Sequence, residues 1–320
     1  MNGPGDVANP GGRSTQNGSA TQGASTPPNR LATNEADLIA ISVAGQVAHP
    51  GFPGLPAEPY RLAADGSPFL LPTYGGIVYN VSVGDRAFGW AADCVHPGVS
   101  IRLPDDNQNR GLNVFACIGN RARVVTGDAA GSTGFVTGKS GRFSEQVIVH
   151  LPREARTRMA VGDQVLVRAE GAGLKLTDHA GVSMKSIDPR LLAALPAQEE
   201  NGRVAFGVVA RVPAHLAGAG LGLTSEGGSL HIQSTDRALL AELDIDRLRL
   251  GDLVAFEDTD SRYNHGHLRG ATAIGVVCTT DGPRAGYGPG VAILMTAPAG
   301  QLGSFEEPGT NLAGLLGLEG

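Results

Sequence analysis

The chain has 320 residues, of which 41% are hydrophobic and 5% aromatic, and its formal net charge is −6 at pH 7. This length favours two domains, and a mildly acidic chain without a run of Lys or Arg argues against a nucleic-acid partner, because phosphate binding needs a concentrated basic face. No apolar run reaches the roughly 18 residues that a membrane helix requires, which argues against a membrane partner.

The three cysteines are widely spaced, and they form neither a disulfide framework nor a C-x-x-C zinc pattern. The N-terminus also lacks the basic and apolar regions of a signal peptide. We therefore expect a cytoplasmic protein of bacterial type whose partner is a small-molecule substrate. A homo-oligomer is compatible with the sequence.

The first part of the chain predicts a tail followed by many short strands. Residues 1–34 are rich in Gly, Ser, Thr, Asn and Pro, so we expect a disordered tail. Short apolar runs separated by glycine turns then predict β-structure, as in a barrel or sandwich. These runs are 36–50, 77–83, 113–119, 121–127, 132–138, 145–151 and 161–170.

Helix signals are few. Asp188 followed by Pro189 predicts a capped helix that begins there, and 234–248 predicts a second helix with Ser234 or Thr235 as its cap. Apolar runs at 204–213, 250–256, 271–280 and 290–298 predict a second set of strands.

The predicted fold class is therefore mainly β (β-rich α+β), with two barrel-like or sandwich-like β domains and a few short helices. The expected boundaries are a tail at 1–34, an N-terminal domain at 35–195, a C-terminal domain at 196–303 and a C-terminal tail at 304–320.

The segment 258–269 concentrates ionisable side chains between two apolar strands. Such a loop is costly to place without solvent or partners, which favours a functional site, although a solvated hairpin loop with surface ion pairs is the alternative. We expect His265 and His267 to transfer protons, Asp260 to orient them and Arg262 to hold an anion. The two histidines would share one face of a strand, where they could also bind a metal with Asp258 or Asp260.

Cys94 and His96 form the second candidate, since a thiol two residues from an imidazole is typical of a nucleophile–base pair. Pro97 favours an extended conformation at His96, which would point both side chains the same way. A buried thiol beside a turn histidine is the alternative.

Two glycine-rich segments supply the remaining candidates. The run 127–142 lacks the spacing of a phosphate-binding P-loop, but Lys139 and Arg142 could hold an anionic substrate, with Asp128 as a further contact. Tyr287, in a Gly-Pro-Gly loop, could serve as a nucleophile or acid. The alternatives are a flexible turn with two surface cations and a hairpin loop with one packing aromatic.

The runs CIGNRARVVTGDAAGSTGFVTGKSG, PGVSI, LGDLVAF, IGVV and GYGPGV occur in the order typical of one protein family. Over residues 38–300 the chain resembles the family catalogued as domain of unknown function 4438, and this resemblance implies two β-rich domains. The chain also departs from the family pattern, since several site-like histidines and acids are replaced. The departures fall at Cys94, His96, Ser140, Ser229, His231 and Tyr287.

The leading functional hypothesis is an enzyme of hydrolase, cyclase or lyase type that acts on a small carbonyl or acyl compound by acid–base chemistry. It would need no organic cofactor, and the high Ala, Gly and Arg content would suit specialised metabolism in a bacterium with GC-rich DNA. One alternative is a non-catalytic small-molecule-binding or assembly protein. Another is an amidase-like hydrolase that depends on a divalent metal, for which three converging ligands would be required.

Overall fold

The computed structural model describes residues 1, 31–50, 61–63, 65–69, 71–72, 75–141, 145–226, 228–282 and 287–318. Residues 2–30 of the predicted disordered tail lie outside the described residues, as does Arg142.

The described residues form a β-rich protein with a few short helices, as the sequence predicts. The strands are β1 (Ile41–Val47), β2 (Arg61–Leu62), β3 (Pro68–Phe69), β4 (Val99–Arg102), β5 (Arg121–Val124), β6 (Thr133–Lys139), β7 (Val147–His150), β8 (Gln164–Ala169), β9 (Ser183–Met184), β10 (Ala197–Glu200), β11 (Arg203–Val208), β12 (Ala210–Val212), β13 (Leu230–Gln233), β14 (Leu253–Asp260), β15 (Gly266–Val277), β16 (Tyr287–Ala297) and β17 (Leu302–Glu306). The α-helices are α1 (Asp106–Phe115), α2 (Arg153–Arg156), α3 (Pro189–Ala194), α4 (Arg237–Glu242) and α5 (Leu312–Leu316). Short 3-10 helices occupy Glu35–Asp37, Ala214–Leu216 and Ile245–Arg247.

The N-terminal half is built around a closed antiparallel barrel. Its strands follow the order β1, β4, β7, β6, β5 and β8, and β8 pairs with β1 to close it. In β8 the buried residues Val165, Val167 and Ala169 alternate with exposed ones, as expected for a strand with one face in a core. Closure pairs the backbone groups that an open sheet would leave at its two edges.

The C-terminal half is built around a sheet with strand order β12, β14, β15, β16 and β13, and β9 also pairs with β16. Strands β10, β11 and β17 form a separate three-stranded sheet, in that order. One buried apolar cluster contains barrel residues such as Val99 and Val136 together with sheet residues such as Ile274 and Leu294. The two halves therefore share a core, and chemical groups from both can meet where they join.

Two sequence predictions about individual elements are wrong. The run 113–119 is not a strand, because residues 113–115 end helix α1, whose cap Asp105 accepts a hydrogen bond from the Gln108 amide. The run 77–83 forms one isolated bridge, between Ile77 and Val99, and no strand.

The helix predictions hold with one correction. Asp188 caps α3 by accepting a hydrogen bond from the Arg190 amide, as predicted. The second helix, predicted over 234–248, begins later, since its cap is Asp236 and not Ser234 or Thr235, and it ends at Glu242. Asp244 takes a left-handed conformation and separates it from the 3-10 helix Ile245–Arg247.

Part of the segment predicted as a C-terminal tail is ordered structure. β17 pairs in parallel with β11, and Leu312 of α5 is fully buried. Among the described residues, no helix is both long and apolar enough to cross a membrane.

Candidate active site

The centre of the candidate site is the buried imidazole of His231. β13 pairs with β16 so that His231 lies opposite Gly290. His231 Nδ1 lies 2.9 Å from the Gly288 carbonyl oxygen, and since a carbonyl can only accept, Nδ1 carries the proton. In the neutral ring, Nε2 is therefore a hydrogen-bond acceptor.

Two hydroxyl groups face that acceptor. Ser229 Oγ lies 3.3 Å from His231 Nε2, and the Tyr287 hydroxyl lies 3.2 Å from the same atom. The Tyr287 ring also packs on the imidazole, with 4.2 Å between the ring centroids. Burial lowers the pKa of His231 to about 4, so the ring is neutral at neutral pH.

Gly290 lets these groups approach one another. A Cβ atom at this position would lie 2.7 Å from Thr279 Oγ1, 3.0 Å from His231 Cε1 and 3.1 Å from Ser229 Oγ. Since such distances are too short for carbon contacts, a side chain at position 290 would displace at least one of the three groups.

Cys94 and His96 lie close to this centre, but they have separate partners. Cys94 has a left-handed φ of 53°, so the extended conformation predicted for this stretch does not extend to the thiol. Its Sγ donates to Thr279 Oγ1 at 3.4 Å, and burial raises its pKa far above the usual thiol range. His96 Nδ1 lies 2.8 Å from Ser100 Oγ.

Burial, with the neighbouring His231, lowers the pKa of His96 to about 3. A thiol that stays protonated beside an imidazole with another partner is a poor nucleophile–base pair. The predicted nucleophile–base pair of Cys94 and His96 is therefore wrong, since each side chain has a different hydrogen-bond partner.

Ser229 lies in the wall of a cavity of about 170 Å³, which we call the Ser229 cavity. Helix α1 and loops from both halves of the chain supply its wall, in which charged and polar side chains lie among glycines and the aliphatic side chains of Val114 and Leu223. The lining residues include Arg110, Asn113, Gly141 and Glu145 from the first half and Gly222, Glu226, Ser229, Asn264 and His265 from the second.

His265 faces inward and lines this cavity, whereas His267 is exposed. The two do not share a strand face, because β15 begins only at Gly266. His265 Nδ1 lies 2.9 Å from Ser261 Oγ, and burial, with the Lys185 ammonium nearby, lowers the pKa of His265 to about 4. Paired metal binding by these two histidines is thus a wrong prediction.

The predicted loop 258–269 is much shorter in the structure, since β14 runs to Asp260 before β15 starts. Asp258 takes a left-handed φ of 48° where the register of the two strands shifts. Here four residues of β15 (268–271) stand against the single β14 residue Asp258, and this irregularity sets which later side chains point inward.

Asp260 and Arg262 bind each other. Their side chains form a salt bridge of 2.9 Å, and its hydrogen bonds lower the pKa of Asp260. Lys185 donates to the Arg262 carbonyl, and this hydrogen bond stabilises the turn between β14 and β15. Asp260 therefore orients Arg262 and not a histidine, and the guanidinium already has an anionic partner.

Lys139 is buried and uses its ammonium to hold the wall of the Ser229 cavity. It donates to the Asn113 carbonyl at the end of α1 and, at 3.4 Å, to the Glu226 carbonyl. Burial lowers the pKa of Lys139 to about 8.

Asp128 is exposed in the turn between β5 and β6, where its carbonyl accepts from Arg158, and it does not line the Ser229 cavity.

Tyr287 lines a second cavity, of about 280 Å³, which we call the Tyr287 cavity. Its wall contains apolar groups and several polar side chains, namely Asp65, Ser234, Thr235, Arg237 and Asp281. Burial raises the pKa of Asp281, which accepts a hydrogen bond from the Gly89 amide.

The sequence alone assigns no role to Ser229 or His231, although both depart from the family pattern. Their alternation, two residues apart at the start of a strand, places both on one face, opposite the core residues Leu230 and Ile232. That alternation was the available signal. Among the described residues, no group of three or more His, Cys, Asp or Glu side chains is placed to hold a metal ion.

Comparisons with known proteins agree with this architecture. The model described as "Domain of unknown function (DUF4438), N-terminal" matches residues 60–193, and the corresponding C-terminal model matches residues 194–316. A solved structure described as "Crystal structure of TM1086" is 39% identical with a TM-score of 0.84, and the match covers 89% of this chain and 99% of that chain. A search of curated proteins finds no match.

Proposed function

This chain belongs to the DUF4438 family, and from the geometry around His231 we propose that it is an enzyme that transfers or hydrolyses the acyl group of a small carbonyl compound. Ser229 is the nucleophile and His231 is its general base. The observation that carries the proposal is the bond from His231 Nδ1 to the Gly288 carbonyl, because it directs the Nε2 lone pair at the Ser229 hydroxyl.

This arrangement has the three parts of an activated nucleophile. The hydroxyl lies in a cavity wall, the imidazole accepts from it, and a third group fixes the imidazole's orientation and tautomer. Here a backbone carbonyl takes the place of the usual carboxylate. It orients the ring but adds no negative charge to stabilise the imidazolium, which makes His231 a weaker base than in a carboxylate triad.

In the first step, Ser229 Oγ bonds to the acyl carbon while its proton moves to His231 Nε2, and the bond to the leaving group breaks. Water or a second acceptor then bonds to the acyl carbon and loses a proton, while the bond from that carbon to Ser229 Oγ breaks and Ser229 takes up a proton. A cavity of about 170 Å³ is close to the roughly 150 Å³ that admits a benzene ring. The substrate part that enters is therefore small.

The test uses a fluorophosphonate probe, which labels nucleophilic serines covalently, on the full chain. We expect one adduct on Ser229 by peptide mass spectrometry, loss of labelling in Ser229→Ala, and slower labelling in His231→Gln. Ser225→Ala is the matched control, since Ser225 is also buried but its hydroxyl donates to the Tyr263 carbonyl. Labelling that persists in Ser229→Ala would refute the proposal.

Lys139 favours a second candidate, a non-catalytic small-molecule-binding protein. Its ammonium is committed to two backbone carbonyls of the cavity wall, so it shapes the cavity and leaves less charge for a reacting group. Tight binding of a small acyl compound, with no adduct and no turnover, would favour this candidate.

A further inference from the structure

His231 connects the two cavities. Its Nε2 atom faces Ser229, which lines the Ser229 cavity, and also Tyr287, which lines the Tyr287 cavity. A single imidazole nitrogen can hold one proton at a time, so a proton received from one hydroxyl can be passed only towards the other or back.

We propose that Tyr287 is a proton-transfer residue that carries the proton of Ser229 out of the reaction site and into the Tyr287 cavity. The inference rests on the proposed function. As Ser229 Oγ bonds to the acyl carbon, its proton moves to His231 Nε2. That proton then moves to the Tyr287 oxygen while the phenol releases its own proton to a water molecule in the Tyr287 cavity. The leaving group departs with its electron pair and is protonated by solvent.

The surroundings of His231 favour this outward path. The buried imidazole resists holding a charge, so a proton taken from Ser229 is short-lived there. The wall of the Tyr287 cavity offers water several polar partners, among them the side chains of Ser234, Thr235 and Arg237. Asp281 lines the same cavity, and its raised pKa makes the carboxylate a better proton acceptor than an ordinary aspartate.

The test measures p-nitrophenyl acetate hydrolysis by the full chain. In Tyr287→Phe the ring can still pack on His231, but the hydroxyl is lost, so we expect hydrolysis to slow by about a hundredfold, in the range typical of general acid–base groups. Fluorophosphonate labelling should still occur at Ser229. Tyr79→Phe is the matched control, because Tyr79 is half-exposed and lines neither cavity.

Rates in mixtures of H₂O and D₂O report how many protons move in the slow step. A curved dependence on D₂O fraction in the parent protein, with a linear one in Tyr287→Phe, supports the relay, since a purely structural role for Tyr287 would not change the number of moving protons. Thr235→Trp, which fills the Tyr287 cavity without altering Tyr287, should also slow hydrolysis, and it decides the question if Tyr287→Phe does not fold.

An unchanged rate and an unchanged D₂O dependence in Tyr287→Phe would overturn the relay. If Ser229→Ala still abolishes labelling in that case, the proposed function stands without it. If Ser229→Ala has no effect, the proposed function and the relay both fail.

Discussion

The three thiols of the chain, Cys94, Cys117 and Cys278, are all buried. Burial raises the pKa of each, and that of Cys278 reaches about 12. Because the thiolate is the reactive form, we expect iodoacetamide at mildly alkaline pH to leave the native protein unmodified, while the urea-unfolded protein takes up one adduct per cysteine. Intact-mass spectrometry counts the adducts.

The result has a direct bearing on Cys94. An adduct on Cys94 in the native protein would mean that its thiolate forms and is reachable, and it would restore this residue as a candidate nucleophile. Cys117 provides an internal reference in the same sample, because it is also buried and lines neither the Ser229 cavity nor the Tyr287 cavity.

Each buried imidazole of the site is hydrogen-bonded to a serine hydroxyl. His96 is paired with Ser100, and His265 with Ser261, in both cases through Nδ1. A hydroxyl can donate or accept, so these two contacts do not determine the tautomer. In His231 the carbonyl contact determines it, which is why we assign the base to His231 and not to His265.

Among the helices, α1 has the most direct effect on the Ser229 cavity, because it supplies Asn113 to the cavity wall. Gly111 lies in its interior, where an added Cβ would meet nothing within 4 Å. Gly111→Ala should therefore raise the free energy of unfolding by about 0.5–1 kcal/mol, since glycine loses more backbone freedom than alanine when a helix forms. Urea denaturation with an unchanged m-value measures this change.

Asp105→Ala is the opposing control for α1. It removes the cap on the Gln108 amide and should lower the free energy of unfolding by about 1 kcal/mol. A lower free energy of unfolding in Gly111→Ala would contradict either the open space beside Gly111 or its helical conformation in α1.

The strands of the barrel were predictable because apolar residues alternate along them, as in β8. α1 was not predictable in this way. Its buried residues are Asn109, Leu112 and Asn113, so it docks mainly through hydrogen bonds, such as those from both asparagines to the Glu145 carbonyl, and has no apolar stripe.

The candidate site was predictable only in part, for a similar reason. The inward orientation of His265 and the outward orientation of His267 depend on where β15 begins, and the His231 contact depends on Gly288, 57 residues away in the chain. Strand register and long-range contacts of this kind leave little trace in one sequence. The segments that sequence reasoning selected did contain Tyr287 and His265, which line the two cavities.

At the scale of the whole molecule, the shared core and the three buried histidines link folding to pH. Burial lowers the pKa of His96 to about 3 and those of His231 and His265 to about 4, from an ordinary value of 6.5. Below pH 6.5 the unfolded chain therefore binds protons that the folded protein does not. The free energy of unfolding is therefore highest above pH 6.5, as far as these three rings determine it, and it decreases as the pH falls towards about 4.

The slope of this loss can be stated. Each extra proton bound by the unfolded chain contributes about 1.4 kcal/mol per pH unit, so three histidines contribute about 4 kcal/mol per pH unit once the unfolded rings are protonated. Urea denaturation across this window should show the free energy of unfolding falling with pH, and His265→Asn should reduce the slope by about one third. A slope equal to that of the parent would mean that His265 is protonated in the folded protein. The imidazole would then have to reach solvent or an anion, and His265 could no longer be described as a neutral group in the wall of the Ser229 cavity.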